Sequence, residues 1–544
     1  MTTADAPTQT SRFDAPAAAA QLIADLVAAP WGRPAPSLYE TARLVSLAPW
    51  LAGHERRLQH LLDTQQADGN WGPAASEGFA LVPTLSATEA LLTTLQRAPG
   101  VTGADRARVA ACAARGLEAL LRQLSSMRAP LPDTHAIELV VPALIEAVNI
   151  QLDRLRDAPS SAAQTWLPSG RLSLPADVDA NVLATLRSRL QAGGAVPDKA
   201  LYSLESAGDA ACGARGVRPV EPGTVGASPA ATAAWLGPAP THGPAIAFLE
   251  TVVSDFGGLA PAPVPIEVFE RAAVLGVLAR AGLYPPVPDH LVKGLVNALG
   301  PDGAAGGAGL PVDGDTTSIV LFTLALLGIP QDPGCLFGYE QGDHFCTWPG
   351  ERTASPSTNA HQLEALGQHL AAARPGPPDA HRYQAAVTKL STWICEQQRP
   401  DGSWDDKWHA SPYYPAMCCT LALAHYGTGA AATAVDKALQ WTLSTQRPDG
   451  SWGRWQGTLE ETAYALLTLQ LTPRTAGPAI EHAVTRGSDF LLARIAHPDG
   501  AELWTGKDLY HHPALAHAPA VAALHLAQLA ARGITPPPGA AGNR

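Results

Sequence analysis

Two aspartates separated by one glycine precede an apolar segment, in the run Asp313-Gly314-Asp315-Thr316-Thr317. The uncharged residues Ser318 to Leu327 that follow predict a buried helix. Two carboxyl groups this close can form a coupled pair, in which burial and one negative charge keep the other group protonated. The motif is therefore a candidate acid. Taken alone it favours a simple helix cap, because Asp and Thr satisfy the free N–H groups at a helix start.

A second run that could do chemistry, Asp405 to Tyr414, combines two carboxylates, a lysine and three aromatic rings. Trp and Tyr present electron-rich faces that attract a cation. Lysine is scarce in this chain, and the candidates for binding an anion are Lys199, Arg352, Lys407, Arg454 and Lys507. For each of these residues alone, core packing or a solvated surface charge is the commoner role.

The elements that must position these residues are predicted to be helices. Ala/Leu-rich segments alternate with short Gly/Pro stretches and almost nothing has a period of two, which predicts an all-α protein. A repeat lies on this pattern: Gln398 with Asp401-Gly402-Ser403-Trp404, and 48 residues later Gln446 with Asp449-Gly450-Ser451-Trp452. Repeats of this length indicate helical hairpins stacked side by side, with structural roles for the repeated residues.

Composition limits the possible partners and compartments. The 544 residues predict at least two domains. A net charge of −12 without a Lys/Arg block argues against nucleic acid as a partner. Seven cysteines without metal-type spacing indicate a reducing compartment. With no signal peptide and no apolar window of about 20 residues, we expect a soluble, cytoplasmic protein without a membrane anchor.

The repeats resemble the QW repeats of the terpene cyclase superfamily, and the Asp-x-Asp run resembles the acid motif of its class II members. Segments similar to those of class II diterpene cyclases occur in the same order at residues 37–43, 137–142, 201–205 and 228–233. The resemblance implies an all-α fold of two double-ring helical barrels with the active site at or near their interface. The implied domains are a catalytic β domain, 1–30 plus 300–544, and an inserted γ domain, 31–299.

The resemblance also implies roles within the acid motif. In class II cyclases the middle aspartate protonates the far alkene of an isoprenoid diphosphate, and Asp315 holds that position, with Asp313 and Thr317 beside it. Thr316 stands where the family usually has a third aspartate. This Asp-x-Asp-Thr-Thr form is similar to that of cyclases that make drimane-type sesquiterpenes, which favours farnesyl diphosphate as the substrate.

The segment from Thr358 to His361 resembles the one that hydrogen-bonds the catalytic aspartate in the family. Asn359 is the first candidate for that contact and His361 the second, and a helix cap by Ser357, Thr358 or Asn359 is equally expected. Related plant enzymes carry a histidine at the position of Tyr202, where it helps to remove the last proton. The tyrosine leaves the base unassigned, with Tyr202 itself a weak candidate.

A pocket for carbocations needs electron-rich faces and no nucleophile. By resemblance, Trp408 and Tyr413 are the first candidates to line it. Behind them stand Phe345, Trp348, Trp455 and Tyr510. The five cations named above would hold the diphosphate. A Mg²⁺ ion bound mainly by that diphosphate is expected as a cofactor, with Glu138 as a candidate ligand.

The resulting functional prediction is a class II sesquiterpene cyclase. It would convert farnesyl diphosphate into the bicyclic drimenyl diphosphate and retain the diphosphate, since residues 405–409 do not complete the Asp-Asp-x-x-Asp motif of class I enzymes. The alternative is a diterpene cyclase that converts geranylgeranyl diphosphate into a copalyl-type diphosphate. A non-enzymatic alternative, a helical toroid that binds partners on its concave face, would leave the setting of Asp315 unexplained.

Overall fold

The computed structural model describes residues 13–73, 78–97, 103–127, 130–157, 167, 170–372, 379–473 and 477–534. About 60% of the chain is helical and the described residues contain almost no sheet, which confirms the all-α prediction. The α-helices are α1 Ala15–Ala28, α2 Leu38–Leu47, α3 His54–Thr64, α4 Leu81–Arg97, α5 Gly103–Ser126, α6 Ile137–Asp157, α7 Ala180–Gln191, α8 Asp198–Leu201, α9 Pro229–Leu236, α10 Gly243–Asp255, α11 Glu267–Arg280, α12 Asp289–Ala298, α13 Gly314–Leu326, α14 Pro356–Ala372, α15 Ala380–Glu396, α16 Tyr413–Tyr426, α17 Ala431–Ser444, α18 Leu459–Leu471, α19 Pro478–Arg494 and α20 Pro513–Ala531.

Short 3-10 helices and two small hairpins complete the described secondary structure. The 3-10 helices are Leu204–Ala211 and Pro333–Tyr339. The antiparallel hairpins pair β1 Ala304–Ala305 with β2 Val312–Asp313, and β3 Trp504–Thr505 with β4 Leu509–Tyr510. Each hairpin lies directly before a helix, so the first hairpin leads into α13 and the second into α20.

Six helices of the C-terminal half form a closed inner ring. In order around the ring they are α11, α13, α14, α16, α18 and α20, and α20 returns to pack on α11. The inner helices α13, α16 and α18 are buried on nearly every side, and their sequences are accordingly apolar all round. Helices α1, α12, α15, α17 and α19 pack around them as an outer layer, and α15 and α17 bury one face only. We call this unit the C-terminal ring.

A second closed ring is inserted between α1 and α11. Its inner elements are α2, α4, α6, the 3-10 helix at Leu204–Ala211 and α9, which packs back on α2. Helices α3, α5, α7 and α10 lie outside it. We call this unit the inserted ring. The two units are the pair of double-ring barrels expected from the resemblance.

The packing differs from the predicted domain boundary at residue 300. Leu275 of α11 and Leu291 of α12 share one apolar core with Leu22 of α1 and with the C-terminal helices. Helix α11 belongs to this core because it closes the inner ring between α20 and α13. The chain therefore passes from the inserted ring to the C-terminal ring near residue 265, and not near residue 300.

The repeated Gln…Asp-Gly-x-Trp units connect adjacent hairpins. The amide of Gln398 donates to the carbonyl of Gly402 at 3.0 Å and to that of Ala434, on the next helix, at 2.8 Å. Trp404 is fully buried and its indole N–H donates to the carbonyl of Ile394 at 2.9 Å. The next copy makes the same bonds. These residues satisfy buried backbone groups and hold the ring together.

Among the described helices, α20 alone is long and apolar enough to cross a membrane by length and composition. It belongs to the inner ring, and 61% of its apolar window is buried. Packing in the core accounts for its apolar composition.

Candidate active site

A cavity of about 710 Å³ lies where the two rings face each other. From the C-terminal ring it is lined by the first residues of α13, including Asp313 and Asp315, and by aromatic side chains. From the inserted ring it is lined by the segment that leads into α6 and by residues around α8. A volume between about 300 and 1,000 Å³ is typical of sites for small organic molecules. The cavity therefore has room for an organic substrate beside a pair of carboxyl groups.

Asp313 caps α13. One carboxylate oxygen accepts the backbone N–H of Thr316 at 2.6 Å and the other accepts the Thr316 hydroxyl at 2.9 Å. The hydroxyl of Thr317 donates to the Asp313 carbonyl at 2.5 Å. Burial and the adjacent Asp315 raise the pKa of Asp313 to about 7. Asp313 therefore makes the helix cap that the motif suggests, and the side chain of Asp315 is not needed for that cap.

Asp315 pairs with His361 of the neighbouring helix α14. The Nδ1 atom of His361 lies 2.8 Å from Oδ1 of Asp315, and each residue is 9% exposed. Burial lowers the pKa of His361, but the Asp315 carboxylate outweighs it and holds that pKa well above its usual value. His361 is therefore a hydrogen-bond donor to the acid.

The structure corrects the order of the two candidates for this contact. Asn359, placed first from the sequence, is fully buried and its amide bonds to backbone instead. It accepts the N–H of Phe345 and donates to the Phe345 and Ser355 carbonyls, each at 2.9 Å. These bonds use the hydrogen-bonding groups of the Asn359 amide, and they hold the backbone at Phe345 against α14. His361, two residues later, is on the face of α14 that meets Asp315.

Four of the predicted aromatic residues line the cavity: Tyr202, Trp348, Trp408 and Tyr510. The rings of Trp348 and Trp408 meet edge to face, with centroids 5.4 Å apart. The indole N–H of Trp408 donates to the Thr358 hydroxyl at 3.1 Å, which fixes the orientation of its ring. The walls thus present aromatic surfaces to the cavity interior.

Three other predicted pocket residues lie away from this cavity. Tyr413 packs against Trp441 of the outer layer with ring centroids 4.7 Å apart, because it faces away from the centre of the ring. Phe345 is fully buried in the core. Trp455 packs edge to face on Phe79 of the inserted ring, with centroids 6.1 Å apart. Placing these three residues in the pocket is therefore wrong for this cavity.

Sequence reasoning missed Phe269, Trp504 and His135, which also line the cavity. The indole N–H of Trp504 donates to a carboxylate oxygen of the buried Glu460 at 2.7 Å, and this bond fixes the ring. Phe269 lies in the first turn of α11, where no motif of the sequence marks it. His135 and Trp504 lie beside segments singled out for other residues, and their proximity to those segments was the available signal.

Three of the five predicted cations line the cavity. Lys199 donates to the carbonyl of Gly350 at 2.9 Å, Arg352 pairs with Asp133 at 2.8 Å, and Lys407 pairs with Glu351 at 2.7 Å. A fourth cation, Arg189 of α7, also lines the cavity and had not been predicted. Cations from both rings therefore line this cavity, and Arg352 and Lys407 are each paired there with a carboxylate.

Lys507 and Arg454 are placed elsewhere. Lys507 is 1% exposed, and its Nζ atom lies 2.7 Å from Glu40 and 2.8 Å from Glu205, both in the inserted ring. This charge is neutralised inside the interface between the rings, so Lys507 is not a free anion site. Arg454 lines an adjoining cavity of about 440 Å³ and donates to the carbonyl of Ala410.

Glu138 lines the main cavity, as expected for a residue near the substrate. Within the described ranges, no group of three or more His, Cys, Asp or Glu side chains is arranged to hold a metal ion. Among the described residues, Glu138 is therefore not part of a cluster of His, Cys, Asp or Glu side chains that could bind a metal ion.

Comparisons with known proteins show which sequences and structures this chain is similar to. Residues 358–510 match the squalene-hopene cyclase C-terminal domain family. An ent-copalyl diphosphate synthase of Streptomyces sp. (strain KO-3988) is 42% identical over 91% of this chain and 92% of its own. A copalyl diphosphate synthase of Streptomyces cyslabdanicus is 39% identical over 94% and 95%. The structure of ent-copalyl diphosphate synthase from Streptomyces platensis, 44% identical, superposes with a TM-score of 0.87 over 94% of this chain and 99% of that one.

These relatives overturn the predicted magnesium cofactor. The synthases named above are class II cyclases, which start the reaction with a proton from an aspartic acid and do not require Mg²⁺. The prediction of Mg²⁺ with Glu138 as its ligand is therefore wrong. In this chain Asp313 and Asp315 line the cavity, and His361 bonds to Asp315.

Proposed function

Since the chain belongs to the class II terpene cyclases, we propose that it converts geranylgeranyl diphosphate into a bicyclic copalyl-type diphosphate. The support is that relatives 42% and 39% identical over at least nine-tenths of the chain are named copalyl diphosphate synthases. The drimane-type product from farnesyl diphosphate was favoured by Thr316 alone. The Thr316 hydroxyl donates to Asp313 at 2.9 Å, so its place in the motif is explained without reference to substrate length.

The reaction begins with proton transfer from Asp315 to the alkene farthest from the diphosphate. The alkene electron pair forms the new C–H bond and leaves a tertiary carbocation, to which the next two alkenes add in turn. His361 occupies Oδ1 of Asp315, which leaves Oδ2 to carry the proton. The same hydrogen bond stabilises the carboxylate that remains, and so strengthens the acid.

The aromatic walls stabilise the cations formed during ring closure. Trp348, Trp408, Trp504 and Tyr510 present π faces that attract positive charge without forming a bond to carbon. The buried carboxylate of Glu460 accepts the Trp504 indole N–H at 2.7 Å. This bond holds the ring in place and makes its π face richer in electrons.

The cations around the cavity would hold the diphosphate, which the proposed reaction retains. Lys199 and Arg189 of the inserted ring and Arg352 and Lys407 of the C-terminal ring supply the charge. Charge-assisted hydrogen bonds from Lys and Arg are the usual means of binding phosphate groups. Anchoring one end of the isoprenoid in this way orients its other end toward Asp315.

The test is to incubate the purified chain with EDTA and either geranylgeranyl or farnesyl diphosphate, dephosphorylate the products and identify them by gas chromatography–mass spectrometry. We expect a bicyclic diterpene alcohol from the longer substrate. Asp315→Asn should abolish it, and Asp343→Asn, a change of an exposed surface aspartate, should not. A bicyclic product from farnesyl diphosphate alone would restore the sesquiterpene assignment, and no product from either substrate would refute both.

A further inference from the structure

His135 is held at the cavity wall opposite the acid-bearing ring. It lies in the turn before α6, and its backbone N–H donates to the carbonyl of Gly506 at 3.1 Å, which ties this turn to the β3–β4 hairpin. Its imidazole packs against Trp408, Tyr202 and Trp348, with ring centroids 4.8, 5.4 and 6.4 Å away. The imidazole is therefore fixed among the aromatic rings that line the cavity.

Two buried polar atoms at this place have no hydrogen-bond partner among the described residues: Nδ1 of His135 and the hydroxyl oxygen of Tyr202. Buried polar atoms are nearly always paired, because an unpaired one loses its hydration without compensation. Both side chains also line the 710 Å³ cavity. The two side chains therefore combine contact with the cavity and a polar atom that no other described residue pairs.

The two groups differ in their ability to accept a proton. Burial, followed by the positive charge of Lys407, lowers the pKa of His135 to about 4, so its ring is neutral and carries a free lone pair near pH 7. Burial and nearby carboxylates raise the pKa of Tyr202 well above its usual value, so it remains a neutral phenol. A phenol oxygen is a far weaker base than an imidazole nitrogen.

We propose that His135 is the general base that ends the cyclisation, an inference that rests on the proposed function. A C–H bond next to the final tertiary carbocation breaks, its electron pair forms the C=C bond of the product, and the proton moves to the lone pair of the His135 ring. One proton enters from Asp315 and one leaves to His135, so the reaction is an isomerisation. The imidazolium then returns its proton to solvent.

The weak basicity of a buried imidazole suits this step. A carbocation is a very strong acid, so even a weak base takes its proton readily. The positive charge of Lys407 nearby favours release of the proton once the product has left. Without the base, water or an alternative proton loss would quench the cation, and water would give a tertiary alcohol.

The test compares His135→Phe and His135→Gln with Tyr202→Phe, under single-turnover conditions in H₂¹⁸O. Gln keeps size and polarity but does not accept a proton near pH 7, and Tyr202→Phe removes the other unpaired atom while keeping its ring. We expect both His135 variants to consume substrate while the ratio of wild-type olefin to other products falls at least about tenfold. We expect an ¹⁸O-labelled tertiary alcohol among those products, and Tyr202→Phe to keep the wild-type olefin as the main product.

Three results would overturn the proposal. They are an unchanged product ratio in both His135 variants, a shift in Tyr202→Phe alone, or no substrate consumption by a His135→Gln protein that melts like the wild type. The last result would mean that His135 is needed for the first proton transfer or for an earlier step. If the wild type accepts farnesyl diphosphate instead, the proposed substrate fails, but the same ratio measured on that product still tests His135.

Discussion

Nδ1 of His361 lies 2.8 Å from Oδ1 of Asp315 and joins two neighbouring helices of the inner ring, α14 and α13. The contact occupies one oxygen of the acid with a donor and leaves the other for the proton that is transferred. A donor in this position stabilises the carboxylate produced by proton transfer more than the carboxylic acid before it. In the proposed reaction this hydrogen bond therefore favours proton release from Asp315.

His361→Phe should lower kcat by about 10- to 100-fold, because a hydrogen bond to a charged group contributes about 1.5–3 kcal/mol. KM for the diphosphate substrate should change little, since His361 contacts the acid and not the cations. Steady-state kinetics by product quantitation measures both values. A loss confined to KM would contradict the role in proton transfer.

Asn359→Ala provides the contrasting case on the same helix. It removes three hydrogen bonds to buried backbone and should lower the free energy of unfolding by about 1–3 kcal/mol. The kcat of the remaining folded enzyme should stay near that of the wild type. Urea unfolding and kinetics on the same preparation measure the two effects. A large loss of kcat in a variant of unchanged stability would mean that Asn359 acts on Asp315.

The raised pKa of Asp313 makes the free energy of unfolding depend on pH. The carboxyl titrates near about 4 in the unfolded chain and at about 7 in the folded protein. The folded state therefore binds the proton more tightly, and the stability from this group is lost as pH rises from about 4 to 7. Asp313→Asn keeps an oxygen for the cap and removes this titration. The free energy of unfolding of the variant minus that of the wild type should therefore rise between pH about 4 and 7 and stay constant above that range. Urea unfolding at several pH values measures this difference, and a difference that does not change with pH would contradict the raised pKa of Asp313.

Lys507→Met should destabilise the protein by about 3–5 kcal/mol, because it leaves Glu40 and Glu205 buried without their counter-charge. Lys293→Met is the matched control. Lys293 pairs with Asp289 at the surface, where both side chains are mostly exposed, so its loss should change stability by less than about 1 kcal/mol. Denaturant unfolding of the two variants under identical conditions tests the difference, and equal effects would contradict the interface role.

Trp408→Leu should lower kcat about 30-fold, since a desolvated cation–π contact contributes about 2 kcal/mol. Tyr413→Phe should leave kcat within about twofold of the wild type, because Tyr413 packs against Trp441 and lies away from the cavity. Product quantitation with saturating substrate measures both. Equal losses would mean that the cavity extends to Tyr413 during turnover.

Structural features formed by residues that are close together in the sequence could be predicted from it. The repeats are of this kind, since Gln398 bonds to Gly402 and Trp404 bonds to Ile394, and the spacing of these residues is visible in the chain. The acid motif could also be identified, because Asp313 and Asp315 are near neighbours at a helix start.

Features that depend on which way a buried helix faces could not be predicted. Every residue of α14 from Pro356 to Gln368 is buried, so no polar stripe distinguishes the face of Asn359 from that of His361. Tyr413 and Tyr414 pose the same problem, and it is Tyr414 that packs near His361, with ring centroids 6.3 Å apart. The role of Lys507 depended on partners more than 300 residues away, which no local pattern indicates.

The insertion of one ring inside the other also has a consequence for biosynthesis. The amide of Gln528 in α20 donates at 2.6 Å to the carbonyl of Phe13 just before α1, across 515 residues of sequence. On the ribosome, α1 therefore emerges long before the helix that receives it, whereas the inserted ring has all its helices by about residue 260 and can fold first. The ring that encloses Asp315 and His361 closes only when α20 has left the exit tunnel, so the nascent chain can complete the inserted ring before it completes the proposed active site.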